Sequence, residues 1–457
     1  MDSLLVLILL ALAVPTLVVL ARTPRFSLYL LVGTFPLVSL PEFMSTGNSL
    51  LSPQKLIGVP TVFLFMFDIM TNGRKLDLKG PLPLLTVLLF VFLLASHFVN
   101  SVAESSWVER YLANAIFVFL VLVWVENRDQ LLKVGLVYVG VVLLAVLTTE
   151  MIPGYSWVPE GQRGDEGIWV RRMVASFGNP NTAAQAYLLG LGLGGAWLIA
   201  KAKTTRDWML GLPMVIFMAY LLLATGARSA FLAFIVLVLS TVTIFLRSRG
   251  GRFGVVVLLV FSVWMVLDPP ELMALRVKTI PFLTEEAREK DPEAKEPRAL
   301  QYGFAIDQIA DHPVFGLGPE RFAAIYSQRV ENRARVLHSW YLAAAADAGI
   351  PGLLAYLGLF FYSLRAFWQS AKAARNDRDR LARKFLAINL LATAVFGTFS
   401  SIPFNKFLFF LVGIAAAEWK LTRQELAAEA ALDVSEEVAV VVQGRPLGSA
   451  RRNAWRY

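Results

Sequence analysis

Long apolar runs alternate with short polar breaks along most of the chain. The runs fall at Leu4 to Leu20, Phe26 to Leu40, Leu56 to Met70, Leu82 to Phe98, Leu112 to Val125 and Leu131 to Leu147. They continue at Ala183 to Ala200, Trp208 to Leu223, Ser229 to Leu246, Phe253 to Leu267, Ile350 to Phe367, Phe385 to Phe399 and Phe404 to Leu421. Their lengths suit helices crossing a hydrocarbon core of about 30 Å and are far greater than barrel strands need. The pattern predicts about thirteen transmembrane helices, with twelve as the lower count. One apolar stretch is too long: His338 to Phe367, if helical throughout, would reach about 45 Å. Gly349 and Pro351 supply a break, which predicts a short surface helix over His338 to Ala348 ahead of the span that begins at Ile350.

Composition agrees with this pattern: 56% of residues are hydrophobic and 17% charged, which excludes an ordinary soluble domain. The expected fold is all-α and polytopic, because only helices satisfy their own backbone in lipid over runs of this length. The first run opens with Asp2 and lacks a basic leader and a small-x-small cleavage site, so it reads as a retained helix. No cysteine is present, which excludes disulfides, thiolate nucleophiles and thiolate metal sites. The net charge of +9 would suggest nucleic acid in a soluble protein; here its distribution sets orientation.

Basic residues gather in alternate loops: Arg22 and Arg25, Arg74 to Lys79, Arg128 and Lys133, Lys201 to Arg206, Arg247 to Arg252, Arg365 to Lys384, and the tail with Arg451 and Arg452. The positive-inside rule assigns that side to the cytoplasm. The amino terminus then lies outside and the carboxyl terminus inside. The longest polar interruption, 268–337, becomes an extracytoplasmic loop with helical stretches, as does the shorter loop 149–179. Residues 1–421 read as one integral membrane domain, and 422–457 as a cytoplasmic tail with a short helix and a disordered end.

The outer side carries residues that topology does not require. Arg171 and Arg172 precede F-G-N-P-N, where Asn179 is placed to cap a helix and Pro180 to occupy its first turn, with Asn181 beside it. Helix amides and guanidinium groups together attract anions; snorkelling arginines beside a capped helix are the plainer reading. Arg228 in T-G-A-R-S starts another span after a very short turn and admits the same two readings. Three arginines on one face suit a phosphate or diphosphate. His338 adds a titratable group where the long loop re-enters the membrane; a helix terminus and nearby cations favour its neutral, proton-accepting form. The alternative is an interfacial histidine bonded to a carbonyl. His97 and His312 have no assigned chemistry. Asp347 reads as a cap or ion-pair partner before an orienting group, and Arg298, in a mixed-charge stretch, as a salt-bridge partner before a substrate contact.

Four blocks carry a resemblance: R-R-M-V-A-S-F-G-N-P-N at 171–181, T-G-A-R-S-A at 225–230, H-P-V-F-G-L-G-P at 312–319, and H-S-W-Y-L with D-A-G-I-P-G-L at 338–353. Together, over a core of 171–354, they resemble the O-antigen ligase family, which contains lipopolysaccharide ligases, polysaccharide polymerases and bacterial protein O-oligosaccharyltransferases. The resemblance implies a GT-C-like, metal-independent, inverting glycosyltransferase of the bacterial inner membrane. It would act at the extracytoplasmic face on an undecaprenyl-diphosphate-linked glycan, with no cofactor. It assigns His338 as general base, and Arg172, Arg228 and less directly Arg171 as diphosphate binders. Asp347 stands where relatives often carry Glu, and Ser339 where they commonly carry Asn.

The chemistry accords with those residue types, since the acceptor hydroxyl must lose a proton and the leaving diphosphate needs charge stabilisation. Closure of the 268–337 loop over the donor would exclude water. The expected acceptor is lipid A core; polymerisation and transfer to protein are alternatives within the family. A flippase or transporter for the same lipid is the rival from another class, in which the arginines bind diphosphate and no bond forms.

Overall fold

The structure, a computed structural model, describes residues 23, 25–36, 53–73, 80–102, 106–150, 157–160, 170–174, 177, 179–245, 256, 260, 297–330, 335–401 and 403–442. Among these are α1 (Phe26–Gly33), α2 (Pro53–Asn72), α3 (Pro81–Val99), α4 (Ser106–Trp124) and α5 (Arg128–Glu150). After a small hairpin come α6 (Pro180–Lys201), α7 (Thr205–Ala224) and α8 (Arg228–Phe245). The chain resumes with α9 (Pro297–Asp311), α10 (Phe322–Arg329), α11 (Trp340–Lys372), α12 (Asp377–Thr398) and α13 (Lys406–Val442).

Seven of the described helices are long and apolar enough to cross a membrane: α3, most of α4 and α5, then α6, α7, α11 and α12. The apolar cores of α2 and α8 are shorter, and α13 runs on from its apolar half into the tail. The expected spans at Leu4 to Leu20 and Phe253 to Leu267 fall outside the described residues, apart from Val256 and Val260 in the second. The helical architecture follows the hydropathy pattern. To it the structure adds, among the described residues, one antiparallel pair, β1 (Trp157–Glu160) with β2 (Val170–Met173), in the loop 149–179.

Helix α6 is the most enclosed of the seven. It packs on α5, α7 and α12, and its small residues permit the close approach on which helix association in lipid depends. A Cβ added at Gly192 would lie 2.2 Å from Cγ of Asn389 on α12, whose Nδ2 donates to the Leu188 carbonyl at 2.8 Å. Helix α12 in turn packs against α6, α8 and α11, making it the centre of the carboxyl-terminal half.

Contacts between distant loops sort the chain into two ends. At one end Arg25 pairs with Glu126 at 2.5 Å, Lys201 with Asp129 at 2.5 Å and Arg375 with Glu429 at 2.7 Å. Deeper there, Glu418 accepts from Ser370 Oγ at 2.5 Å and from Arg128 Nε at 3.3 Å. Arg128 also pairs with Glu425. These residues come from breaks that the charge pattern assigns to one side. The opposite end collects the alternate breaks: Gln185 meets Ser400, Trp340 meets Ser401, Asn100 meets Gly316 and Arg110 meets Glu320. The alternation of loops read from charge is therefore present in the packing.

Candidate functional site

The segment around His338 is built on a broken helix. Within α11, Gly349 takes φ 70° and ψ −175°, so Trp340 to Ala348 forms a short helix, α11a, separate from the long helix that follows. The break expected at Gly349 and Pro351 is thus present. Residue 349 lies in a backbone region open only to glycine. Ser339 caps α11a, its side chain accepting the Leu342 N–H at 3.4 Å.

A broken helix orphans backbone groups, and here distant residues satisfy them. The Ala346 carbonyl accepts from Leu317 N at 2.6 Å, and the Asp347 carbonyl from Ser96 Oγ of α3 at 2.6 Å. The Ile350 N–H donates to the Pro313 carbonyl at 2.8 Å. Asn100 Nδ2 binds the Gly316 carbonyl at 3.2 Å and fixes the same turn from the α3 side. The block H-P-V-F-G-L-G-P is therefore the clip that closes the break. In the sequence the block stands only as one of the four that carry the family resemblance.

The other end of α11a carries His338. Its carbonyl accepts the Tyr302 hydroxyl of α9 at 2.8 Å. The neighbouring Trp340 is fully buried, and its indole Nε1 donates to the Ser401 carbonyl at 2.9 Å, beyond the end of α12. A Cβ on Gly397 would lie 2.3 Å from that indole, so glycine there makes the anchoring possible. Helix α9 is tied to α11a near both ends, by Tyr302 beside His338 and by the turn after Asp311 at the break. It therefore runs parallel to α11a, start beside start and end beside end. Ala305, Leu317, Tyr326, Ala343 and Ala346 fill the seam between loop and helix. His338 itself is partly buried, with Nδ1 shielded from solvent.

Arg228 is the first residue of α8. The turn before it depends on Gly226 at φ 61° and on Thr225, whose hydroxyl donates to the Leu222 carbonyl at 2.7 Å and accepts the Ala227 N–H at 3.3 Å. Arg228 is partly buried with its Nε shielded. A cation at a helix amino terminus opposes the helix dipole by about 0.3–1 kcal/mol, an arrangement that an anion beside it would reverse. Asn179 is the cap of α6 as expected, its Oδ1 accepting Asn181 N at 2.8 Å, with Pro180 in the first turn.

Arg171 and Arg172 lie in β2, opposite Pro159 and Val158, and the strand rests on α6 and α7. Their side chains lie outside the described part, as does that of Arg298, the second residue of α9. The backbone thus brings the double-arginine strand beside α7, whose last turn leads to Arg228. The starts of α6, α8 and α11a all belong to helices that surround α12.

Asp347 is buried at the far end of α11a from His338, where Oδ1 accepts the backbone N–H of Glu320 at 3.1 Å. Glu320 has φ 62° and pairs through its own carboxylate with Arg110 at 2.5 Å. Asp347 is thus a cap for a strained turn and does not orient His338 directly. Sequence reasoning missed Ser96, Asn100 and Tyr302, because the groups they satisfy lie on other elements; Trp340 was visible within the histidine block. Among curated proteins no match was found. Residues 213–357, which contain both Arg228 and His338, match the family model described as O-antigen ligase, and that segment is an O-antigen ligase family domain.

Proposed function

We propose that this protein is an inner-membrane glycan transferase that moves a saccharide from undecaprenyl diphosphate to an acceptor hydroxyl at the extracytoplasmic face, with lipid A core as the acceptor. The observation that carries this reading is the placement, within the matched segment, of Arg228 at the start of α8 and His338 just before α11a, on helices that both pack against α12. In this reading the acceptor oxygen attacks the anomeric carbon opposite the diphosphate. The new C–O bond forms as the bond to the diphosphate oxygen breaks, with inversion. The acceptor proton passes to His338, and Arg228, with Arg172 and Arg171 from β2, balances the charge on the departing diphosphate. The capped start of α6 at Asn179 and Asn181 adds amide donors to the same anion. Asp347 supports the site through the clip, and Arg298 is assigned a contact with sugar or phosphate. Arginine charge persists at any working pH, so the reading invokes no metal.

The test uses purified protein in vesicles with a defined undecaprenyl-diphosphate glycan and candidate acceptors, with products read by mass spectrometry. His338→Ala should keep donor binding and lose transfer by roughly 10²-fold or more, the usual contribution of a general base. Wild-type transfer by that variant would remove the base assignment. Movement of the lipid across the bilayer with no covalent product would replace the transferase by a flippase.

A further inference from the structure

Helices α3 and α11 pack along each other, and each carries a stripe of exposed apolar side chains at helical spacing. On α3 the stripe includes Leu84, Val91 and Phe98, the last 73% exposed. On α11 it includes Ile350, Leu354 and Phe361, with Leu354 62% exposed. In a chain that crosses a membrane, exposed apolar stripes on long helices face lipid. The stripes reach the site end together, because Ser96 of α3 is bonded to Asp347 just before the break in α11.

The turn 312–317 bridges the two stripes at that point. It is tied to α11 by the bond from Ile350 N to the Pro313 carbonyl and to α3 by the bond from Asn100 to Gly316. Between these ties Val314 and Phe315 are exposed by 54% and 39%. The turn has a buried side for apolar groups, since Leu317 occupies it. The exposure of Val314 and Phe315 is therefore not forced by a lack of core. On the last turns of α9 the exposed residues are mixed, Asp307 and Asp311 standing beside Ile306 and Ala310.

We infer that the 312–317 turn is seated in the membrane, with Val314 and Phe315 in the acyl-chain boundary of the bilayer, prolonging the lipid-facing surface of α3 and α11. The clip that closes the break in α11 is then a lipid contact, although it belongs to a long polar stretch of sequence. Amphipathic segments bind at this depth through buried apolar area.

The absence of cysteine makes the test direct. Single variants Val314→Cys and Phe315→Cys, labelled with an environment-sensitive fluorophore and reconstituted in phospholipid vesicles, are exposed to two quenchers. One is a lipid carrying a doxyl group near the top of its acyl chain, and the other is aqueous iodide. Leu354→Cys serves as the lipid reference and Asp307→Cys as the water reference. Both turn positions should lose fluorescence to the doxyl lipid as Leu354→Cys does and resist iodide. Quenching by iodide to the level of Asp307→Cys would overturn the proposal, and so would shielding from both quenchers, which would indicate a protein contact such as a second copy. The measurement needs no glycan substrate, so its outcome is independent of the transferase reading.

Discussion

Gly349 shows how much of the site's geometry depends on a single missing methyl group. A Cβ there would lie 2.2 Å from the Val314 carbonyl oxygen and 2.8 Å from that of Pro313, and the backbone conformation would be strained besides. Backbone strain of this kind costs about 1–3 kcal/mol, and displacement of the clip adds to it. Gly349→Ala should therefore lower the melting temperature in detergent. Gly303 is the contrast, a helical glycine on the exposed side of α9 with no atom within 4 Å of an added Cβ. Gly303→Ala should raise stability by up to about 1 kcal/mol, because alanine loses less backbone entropy in a helix. Equal melting of the two variants would mean that the break in α11 is not fixed in this way.

The short helix α11a is too brief to be stable alone, since helices below about 12–15 residues are marginal in water. Groups from elsewhere hold it: Ser96 and Leu317 at its end, Tyr302 and Ser401 at its start. Ser96→Ala removes the side-chain donor to the buried Asp347 carbonyl, and an orphaned buried acceptor costs about 1–3 kcal/mol. Thermal unfolding should show that loss, and an unchanged transition would mean that another group takes over the carbonyl. The sequence made the break legible because a run from His338 to Phe367 exceeds the membrane and contains Gly349 and Pro351. The cap at Asn179 and Pro180 was legible for a similar reason, being a local motif whose groups lie within three residues. The clip was not legible, because Ser96 and Asp347 stand 251 positions apart and neither residue type announces its partner. For Asp347 the preferred reading as a cap agrees with its acceptance of the Glu320 N–H, although that partner, 27 positions away, was not legible.

The two ends of the bundle differ in how charge is held, and this bears on which way the site faces. One end ties Arg25, Arg128, Lys201 and Arg375 to acidic partners, with Glu418 buried among them. The His338 end has the Arg110–Glu320 pair and, around α11a, hydrogen bonds to carbonyls of broken or terminating helices. Retention of basic loops in the cytoplasm would put the ion-paired end inside and His338 outside. The prediction concerns intact bacterial cells whose outer barrier has been made leaky to a maleimide that does not cross the inner membrane. In the cysteine-free chain, Asp307→Cys should react directly, and Arg378→Cys should react only after the inner membrane is permeabilised. Both positions are exposed, so burial does not explain a difference in labelling. The reverse pattern would turn His338 and Arg228 towards the cytosol. The extracytoplasmic placement of the reaction proposed above would then be overturned, even if both residues remained essential.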